Sequence, residues 1–97
     1  MNHILDHVSL NVTDMEASKA FYSAALAPLG VALLRDYGVA AGFGKGGKPE
    51  LWLHQGVASY QTAEQLSHIT PVHVCLSAAN RAEVDAFYAA AIAAGGR

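Results

Sequence analysis

The amino-acid sequence repeats itself, and this repeat limits the folds that the chain can adopt. When the sequence is shifted by 66 positions, residues 7–30 fall on residues 73–96 without a gap. Ten of the 24 paired residues are identical, among them His7 with His73, a Phe-Tyr pair and a glycine. Alanine richness explains four of the ten identities, but not these. A long repeat has to be recognised before any other assignment of fold. Each copy is predicted to form a strand, a turn and a helix ended by glycine.

The first strand of the first copy has one polar and one apolar face. Residues 4–12 alternate between polar and apolar side chains, which is typical of a strand with one face against the core. The polar face carries His7, Ser9 and Asn11. These side chains favour a cleft wall over an ordinary solvated surface.

A helix and three more strands are predicted after the first strand. Thr13 with Glu16 forms a capping-box pattern, so a helix is expected over residues 14–27. Two glycines in residues 45–48 favour a hairpin turn. The remaining predicted strands of this βαβββ unit cover residues 31–36, 39–44 and 50–54.

The last of these strands again alternates. Leu51 and Leu53 are expected to face the core, while Glu50, Trp52 and His54 share the other face. Trp52 is either a cleft wall that stacks on a ligand or a packing residue. Glu50 is either a site residue or a solvated residue at the start of the strand.

The second copy stops after its helix. Residues 55–71 are predicted to be a linker, with a helical turn over residues 62–66. A strand over residues 72–78 and a helix over residues 80–94 are expected to follow. The sequence thus predicts one α+β domain over residues 1–97, in which module one covers about 3–54 and module two begins at residue 72. Phe21-Tyr22 and Phe87-Tyr88 are expected to pack between helix and sheet in the two copies.

Composition excludes several classes of protein. Apolar residues make up 53% of the chain and charged residues 14%, which excludes a disordered chain. The formal net charge of −2 and the scattered Lys and Arg residues argue against nucleic-acid binding. The single cysteine, Cys75, fits a reducing compartment and is predicted to be a small buried or cleft-wall residue. A cytoplasmic protein with no membrane or nucleic-acid partner is expected.

The βαβββ unit, used twice with His in each first strand, resembles the vicinal oxygen chelate superfamily. That superfamily includes glyoxalase I, extradiol dioxygenases, and bleomycin- and fosfomycin-resistance proteins. The resemblance is carried by residues 5–12, Phe21-Tyr22 with Leu29-Gly30, residues 49–53 and residues 72–76. It implies an incomplete barrel of paired modules around a metal ion, and homodimers are common in the superfamily.

Carried over to this sequence, the resemblance implies that His7, Glu50 and His73 are metal ligands and that Glu50 is the catalytic carboxylate. Zn, Ni, Fe and Mn all suit imidazole and carboxylate ligands. His54, on the face of Glu50, is an alternative ligand. The remaining residues expected in the substrate cleft are Ser9, Asn11, Trp52, His54 and Cys75.

Three functions stay open at this point. A carboxylate at position 50 favours a metal-dependent lyase or isomerase of glyoxalase type acting on a small carbonyl compound, because the resemblance gives extradiol dioxygenases no ligand there. The alternatives are a metal-free drug-binding protein of bleomycin-resistance type and an extradiol-type dioxygenase. We also expect the second copy to need roughly 35–40 residues beyond Arg97, or strands from another chain, to complete its sheet.

Overall fold

A computed structural model describes residues 4–68 and 72–97. Within these residues, no helix combines the length and apolar character needed to cross a membrane. The elements in chain order are β1 (Val8–Val12), α1 (Met15–Leu26), a 3₁₀ turn (Ala27–Leu29), β2 (Ala32–Asp36), β3 (Ala40–Lys45), β4 (Lys48–Gln55), α2 (Ala63–Leu66) and α3 (Arg81–Ala93).

The first copy folds as the predicted βαβββ unit. Its four strands form one sheet in the order β1-β4-β3-β2, in which β1 runs parallel to β4 and the other pairs are antiparallel. The strand predicted over residues 4–12 begins only at Val8, and the strand predicted over 50–54 extends to Lys48–Gln55. The hairpin between β3 and β4 is confirmed, because Gly46 and Gly47 adopt φ angles of 58° and 82°.

The core lies between α1 and one face of this sheet. From α1 and the following turn it receives the buried residues Met15, Ala25, Leu26 and Leu29. From the sheet it receives Ala41, Phe43, Leu51 and Leu53. Val8, Leu10 and Val12 pack beside them, so the apolar face predicted for β1 is confirmed. α1 therefore covers one face of the sheet and not the face that carries Ser9 and Asn11.

The two long helices begin at equivalent positions of the repeat. Asp14 caps α1, where its Oδ1 accepts a hydrogen bond from the Ala17 backbone N–H (3.1 Å). Asn80 caps α3, where its Oδ1 accepts from the Glu83 N–H (2.9 Å). These caps are 66 positions apart, which is the offset of the repeat (80 − 14). The prediction that Thr13 caps α1 is therefore wrong by one residue, since the Asp14 carboxylate reaches the free N–H groups instead.

The strand predicted over residues 72–78 is wrong. In the described residues this segment forms no strand, and all of its side chains are exposed. The physical reason is that a strand needs a neighbouring strand to pair with. In the first copy, β1 is held by hydrogen bonds to β4, which follows α1 in the sequence. The described residues after α3 contain no counterpart of β4, so the backbone of the segment has no ladder to join.

The second helix packs on the first instead of on a sheet of its own. α3 contacts α1 and the 3₁₀ turn, and it ends at Ala93, two residues before Gly95, whose φ angle is 107°. Phe87 packs against the core as predicted, but Tyr88 is 67% exposed, so the prediction of core packing is wrong for Tyr88. Its counterpart in the repeat, Tyr22, lies against Phe43 of the sheet, with ring centroids 6.1 Å apart. Tyr88 has no equivalent sheet to cover.

Replacing the observed cap should destabilise the protein more than replacing the predicted one. We expect Asp14→Ala to lower the free energy of unfolding by about 1 kcal/mol, because a first-turn N–H of α1 loses its partner. Thr13→Ala is the matched control and should have little effect. Urea denaturation of both variants measures the difference, and a larger loss for Thr13→Ala would contradict the cap assignment.

Candidate functional site

The face of the sheet opposite α1 carries the polar side chains predicted from the alternation. The register of the parallel pair sets Ser9 beside Trp52 and Asn11 beside His54. His7 immediately precedes β1, on the same face as Ser9. The structure therefore brings together four of the five residues expected in the cleft, while their role in binding stays a prediction.

A half-open cavity of about 280 Å³ lies on this face. Its lining residues are His7, Ser9, Asn11, Ala40, Trp52, Leu53, His54, Ala58 and Tyr60. Ala58 and Tyr60 come from the segment after β4, which the sequence identified only as a linker. Their contribution was missed because this segment has no strand or helix periodicity that would indicate which side chains face the sheet.

Amide side chains hold the linker beside the cavity. The Asn11 and Gln61 amides exchange two hydrogen bonds (3.1 and 3.3 Å), and Gln61 Oε1 also accepts from the Ala58 N–H (3.2 Å). The short helix α2 follows with the capping box of Thr62 and Gln65. The helical turn predicted over residues 62–66 is thereby confirmed.

Trp52 forms an aromatic wall of the cavity. A Cβ atom at Gly42 would lie 3.0 Å from two atoms of the indole, so the absence of a side chain there lets the ring approach β3. The ring of Tyr37 stacks on Trp52, with centroids 6.2 Å apart and an interplanar angle of 12°. Tyr37, which follows β2, was not singled out by the sequence.

His7 is held by its neighbour. Asp6 Oδ1 lies 2.7 Å from His7 Nδ1, and the same oxygen accepts a hydrogen bond from Lys48 Nζ (2.6 Å). The hydrogen bond with His7, followed by the hydrogen bond and charge of Lys48, holds the pKa of Asp6 below its ordinary value. Asp6 is therefore an ionised carboxylate at neutral pH, and His7 Nδ1 is the donor.

Glu50 lies near His7 in the fold but does not line the same cavity. Val8 pairs with Leu51, so His7 and Glu50 both precede that pair on neighbouring segments. Glu50 is exposed and lines a second cavity of about 290 Å³, together with Lys45 and Cys75. The second cavity is also lined by the core residues Leu26, Phe43 and Leu51, so the prediction that Glu50 shares the face of Trp52 and His54 is wrong. The alternation breaks there because the register of β3 and β4 shifts between Phe43 and Gly44.

The second copy does not bring its residues to the polar face. His73 and Cys75 lie in the exposed segment 72–78. Of the two alternatives predicted for Cys75, the buried one is wrong, and the residue lines the cavity of Glu50. No three His, Cys, Asp or Glu side chains among residues 4–68 and 72–97 are close enough to hold a metal ion. His7 and Glu50 are suitable donors, but a first-row ion needs further ligands. The described chain alone therefore does not form a complete metal site.

Filling the space at Gly42 should move Trp52. We expect Gly42→Ala to shift the fluorescence emission of Trp52, which is the single tryptophan, to longer wavelength as the ring is displaced into solvent. Tyr37→Leu is the control, because it removes the stacked ring but keeps the space at Gly42, and it should give the smaller shift. An unchanged emission spectrum in Gly42→Ala would contradict this packing.

Comparison with known proteins agrees with the fold. The family model of the Glyoxalase/Bleomycin resistance protein/Dioxygenase superfamily matches residues 4–97. A crystal structure of a glyoxalase/bleomycin resistance protein from Albidiferax ferrireducens T118 is similar, with a TM-score of 0.76 and 25% sequence identity. The match covers 96% of this chain and 71% of that one. A comparison with proteins of curated function gives no significant match. The chain belongs to the glyoxalase/bleomycin resistance protein/dioxygenase superfamily.

Proposed function

We propose that this chain belongs to a divalent-metal-dependent lyase or isomerase of glyoxalase type, acting on a small carbonyl compound. The observation that carries the proposal is the position of His7. Its ring lines the cavity on the polar face of the sheet, and within the described residues only its Nδ1 makes a hydrogen bond, with Asp6. Glu50, which precedes the Val8–Leu51 pair on β4 as His7 does on the neighbouring segment, would supply the carboxylate. Members of the family use this pair of donor types.

The cavity suits a small polar substrate. Its volume of about 280 Å³ lies just below the usual range for small-molecule sites, which is about 300–1,000 Å³. The Ser9 hydroxyl and the Asn11 amide offer hydrogen bonds to substrate oxygens, and Trp52 offers an apolar surface for the carbon skeleton. In this proposal Glu50 transfers a proton between adjacent carbons of the substrate, as a general base and then as a general acid.

The metal would need ligands that the described chain does not bring to His7 and Glu50. His73 remains the proposed third ligand because the repeat gives it the position of His7. The proposal includes a cytoplasmic homodimer, in which a second chain completes the site. In support, α3 leaves Val84, Tyr88 and Ile92 exposed at intervals of four residues, on one side of the helix.

A metal-free binding protein of bleomycin-resistance type is the second candidate. It is favoured by a specific observation, namely that the stacked Tyr37 and Trp52 rings offer a platform for a planar ligand. A ligand-binding cleft of this kind needs neither His7 nor Glu50. The two candidates therefore differ in whether His7 is needed for binding.

Metal analysis and proton exchange test the proposal together. Protein purified without added metal or chelator should contain a first-row metal, and His7→Ala should lose it while keeping the fold. Small 2-hydroxycarbonyl compounds should take up solvent deuterium at the hydroxyl-bearing carbon next to the carbonyl. Glu50→Gln should slow that exchange by about 10²–10⁴-fold, which is the usual effect of losing a general base.

His68→Ala is the matched control, since this histidine is bonded to Ser67 and the Glu64 carbonyl at the end of α2. It should change neither the metal content nor the exchange. Stoichiometric metal retained in His7→Ala would contradict the assignment of this ligand. Metal-free protein whose Trp52 fluorescence is quenched by planar aromatic compounds would favour the binding protein. Iron together with oxygen uptake on a catechol would favour the dioxygenase.

A further inference from the structure

Asp6, the residue before His7, is given no role in the site by the family resemblance, yet it makes two charged contacts at the edge of the cavity. One of its oxygens, Oδ1, meets both the ring of His7 and the ammonium of Lys48 (2.7 and 2.6 Å). The other oxygen makes no hydrogen bond to the described residues. The contacts with His7 and Lys48 therefore both fix Oδ1, the oxygen that faces the imidazole.

The contact with Asp6 decides which nitrogen of His7 carries the proton. An ionised carboxylate only accepts hydrogen bonds, so Nδ1 of the neutral ring must be the donor. Nε2 then holds the lone pair, and it is the nitrogen left available to the cavity that His7 lines. A free histidine favours the opposite tautomer, so the carboxylate changes the form of the ring that is presented.

Lys48 ties this carboxylate to the sheet. Asp6 precedes β1 and is 70% exposed, so it would otherwise rotate freely in solvent. Lys48 is the first residue of β4, the strand that pairs with β1, so the contact joins the starts of the two strands. The positive charge of Lys48 also offsets the charge of Asp6, which keeps Oδ1 in place beside the ring.

The other described histidines lack this arrangement. His68 bonds through Nδ1 to Ser67 and to a backbone carbonyl. Neither His54 nor His73 has a hydrogen bond from its ring within the part of the chain that the structure describes. Among the described histidines, His7 is the one whose ring contacts a carboxylate.

We infer that Asp6 and Lys48 are positioning residues, which hold His7 in its Nδ1–H tautomer and present Nε2 to the cavity. This inference rests on the proposed function in so far as Nε2 is the atom that contacts a metal ion or a substrate. The carboxylate–imidazole contact is the arrangement that orients histidine ligands in metal sites and raises their basicity. The tautomer itself is a property of the protein without any metal.

Nitrogen NMR of the ring measures the tautomer directly. In ¹⁵N-labelled metal-free protein at alkaline pH, where the ring is neutral, long-range ¹H–¹⁵N spectra should show Nδ1 protonated and Nε2 unprotonated. His7→Gln assigns the signals by removing them. Asp6→Ala should shift the population towards the Nε2–H form, and Asp6→Asn should restore part of the Nδ1–H form, because its amide oxygen can still accept.

Lys48→Met should lower the population of the Nδ1–H tautomer of His7, whereas Lys45→Met, on the other side of the hairpin, should leave that population unchanged. Asp85→Asn, an exposed position on α3, controls for the loss of a negative charge. Because all of these side chains are exposed or half-exposed, the variants are expected to fold, and the emission of Trp52 checks this. Should Asp6→Ala fail to fold, Lys48→Met still tests the inference.

Binding of Ni²⁺ alone, measured by calorimetry, connects the tautomer to the proposed site. Asp6→Ala should weaken Ni²⁺ binding by about 10–100-fold, the usual cost of losing the partner of a histidine ligand. A tautomer that shifts in Asp6→Ala while the wild-type protein binds no Ni²⁺ would support the positioning but overturn the metal-dependent function. A wild-type His7 in the Nε2–H form, or one unaffected by Asp6→Ala, would overturn the inference.

Discussion

The parallel pairing of β1 with β4 is the constraint on which the rest of the structure depends. Two parallel neighbours need a crossover, and here α1, β2 and β3 supply it before the chain returns as β4. The pairing aligns the alternation of both strands, so that Val8 and Leu51 face α1 while Ser9 and Trp52 face away from it. A shift by one residue would exchange the two faces and bury the polar side chains. Core packing therefore fixes the geometry of the cavity.

The two ends of this strand pair are fastened by different interactions. At the start, the charged contact of Asp6 with Lys48 joins the segment before β1 to the first residue of β4. At the far end, Gln55 Oε1 accepts a hydrogen bond from the Met15 N–H (2.7 Å), which joins β4 to the first turn of α1. An exposed ion pair contributes little stability. The contact of Lys48 with Asp6 therefore matters for orientation, because it fixes the carboxylate that contacts His7.

Sequence reasoning predicted the first copy well, because its signals are local. Alternation located β1 and β4, paired glycines located the hairpin, and the repeat located both helices. Other features depend on contacts between residues that are distant in the sequence. Nothing local indicates that Tyr37 stacks on Trp52, that Tyr60 reaches the cavity, or that Lys48 holds Asp6. Alternation also predicted a strand over residues 72–78, but a strand needs a partner, and the described residues provide none.

In the described residues both copies thus form a helix capped at the equivalent position, whereas only the first copy forms strands. The proposed function places a metal ion at the end of the polar face near His7. Titration of ¹⁵N-labelled protein with Mn²⁺ tests this most directly, because the paramagnetic ion broadens the signals of nearby amides even where the site lacks some of its ligands. Broadening that begins at residues 6–9 and 49–52 is the expected result. Broadening that begins at exposed carboxylates elsewhere, such as Glu64 or Glu83, and leaves residues 6–9 unaffected would contradict the claim.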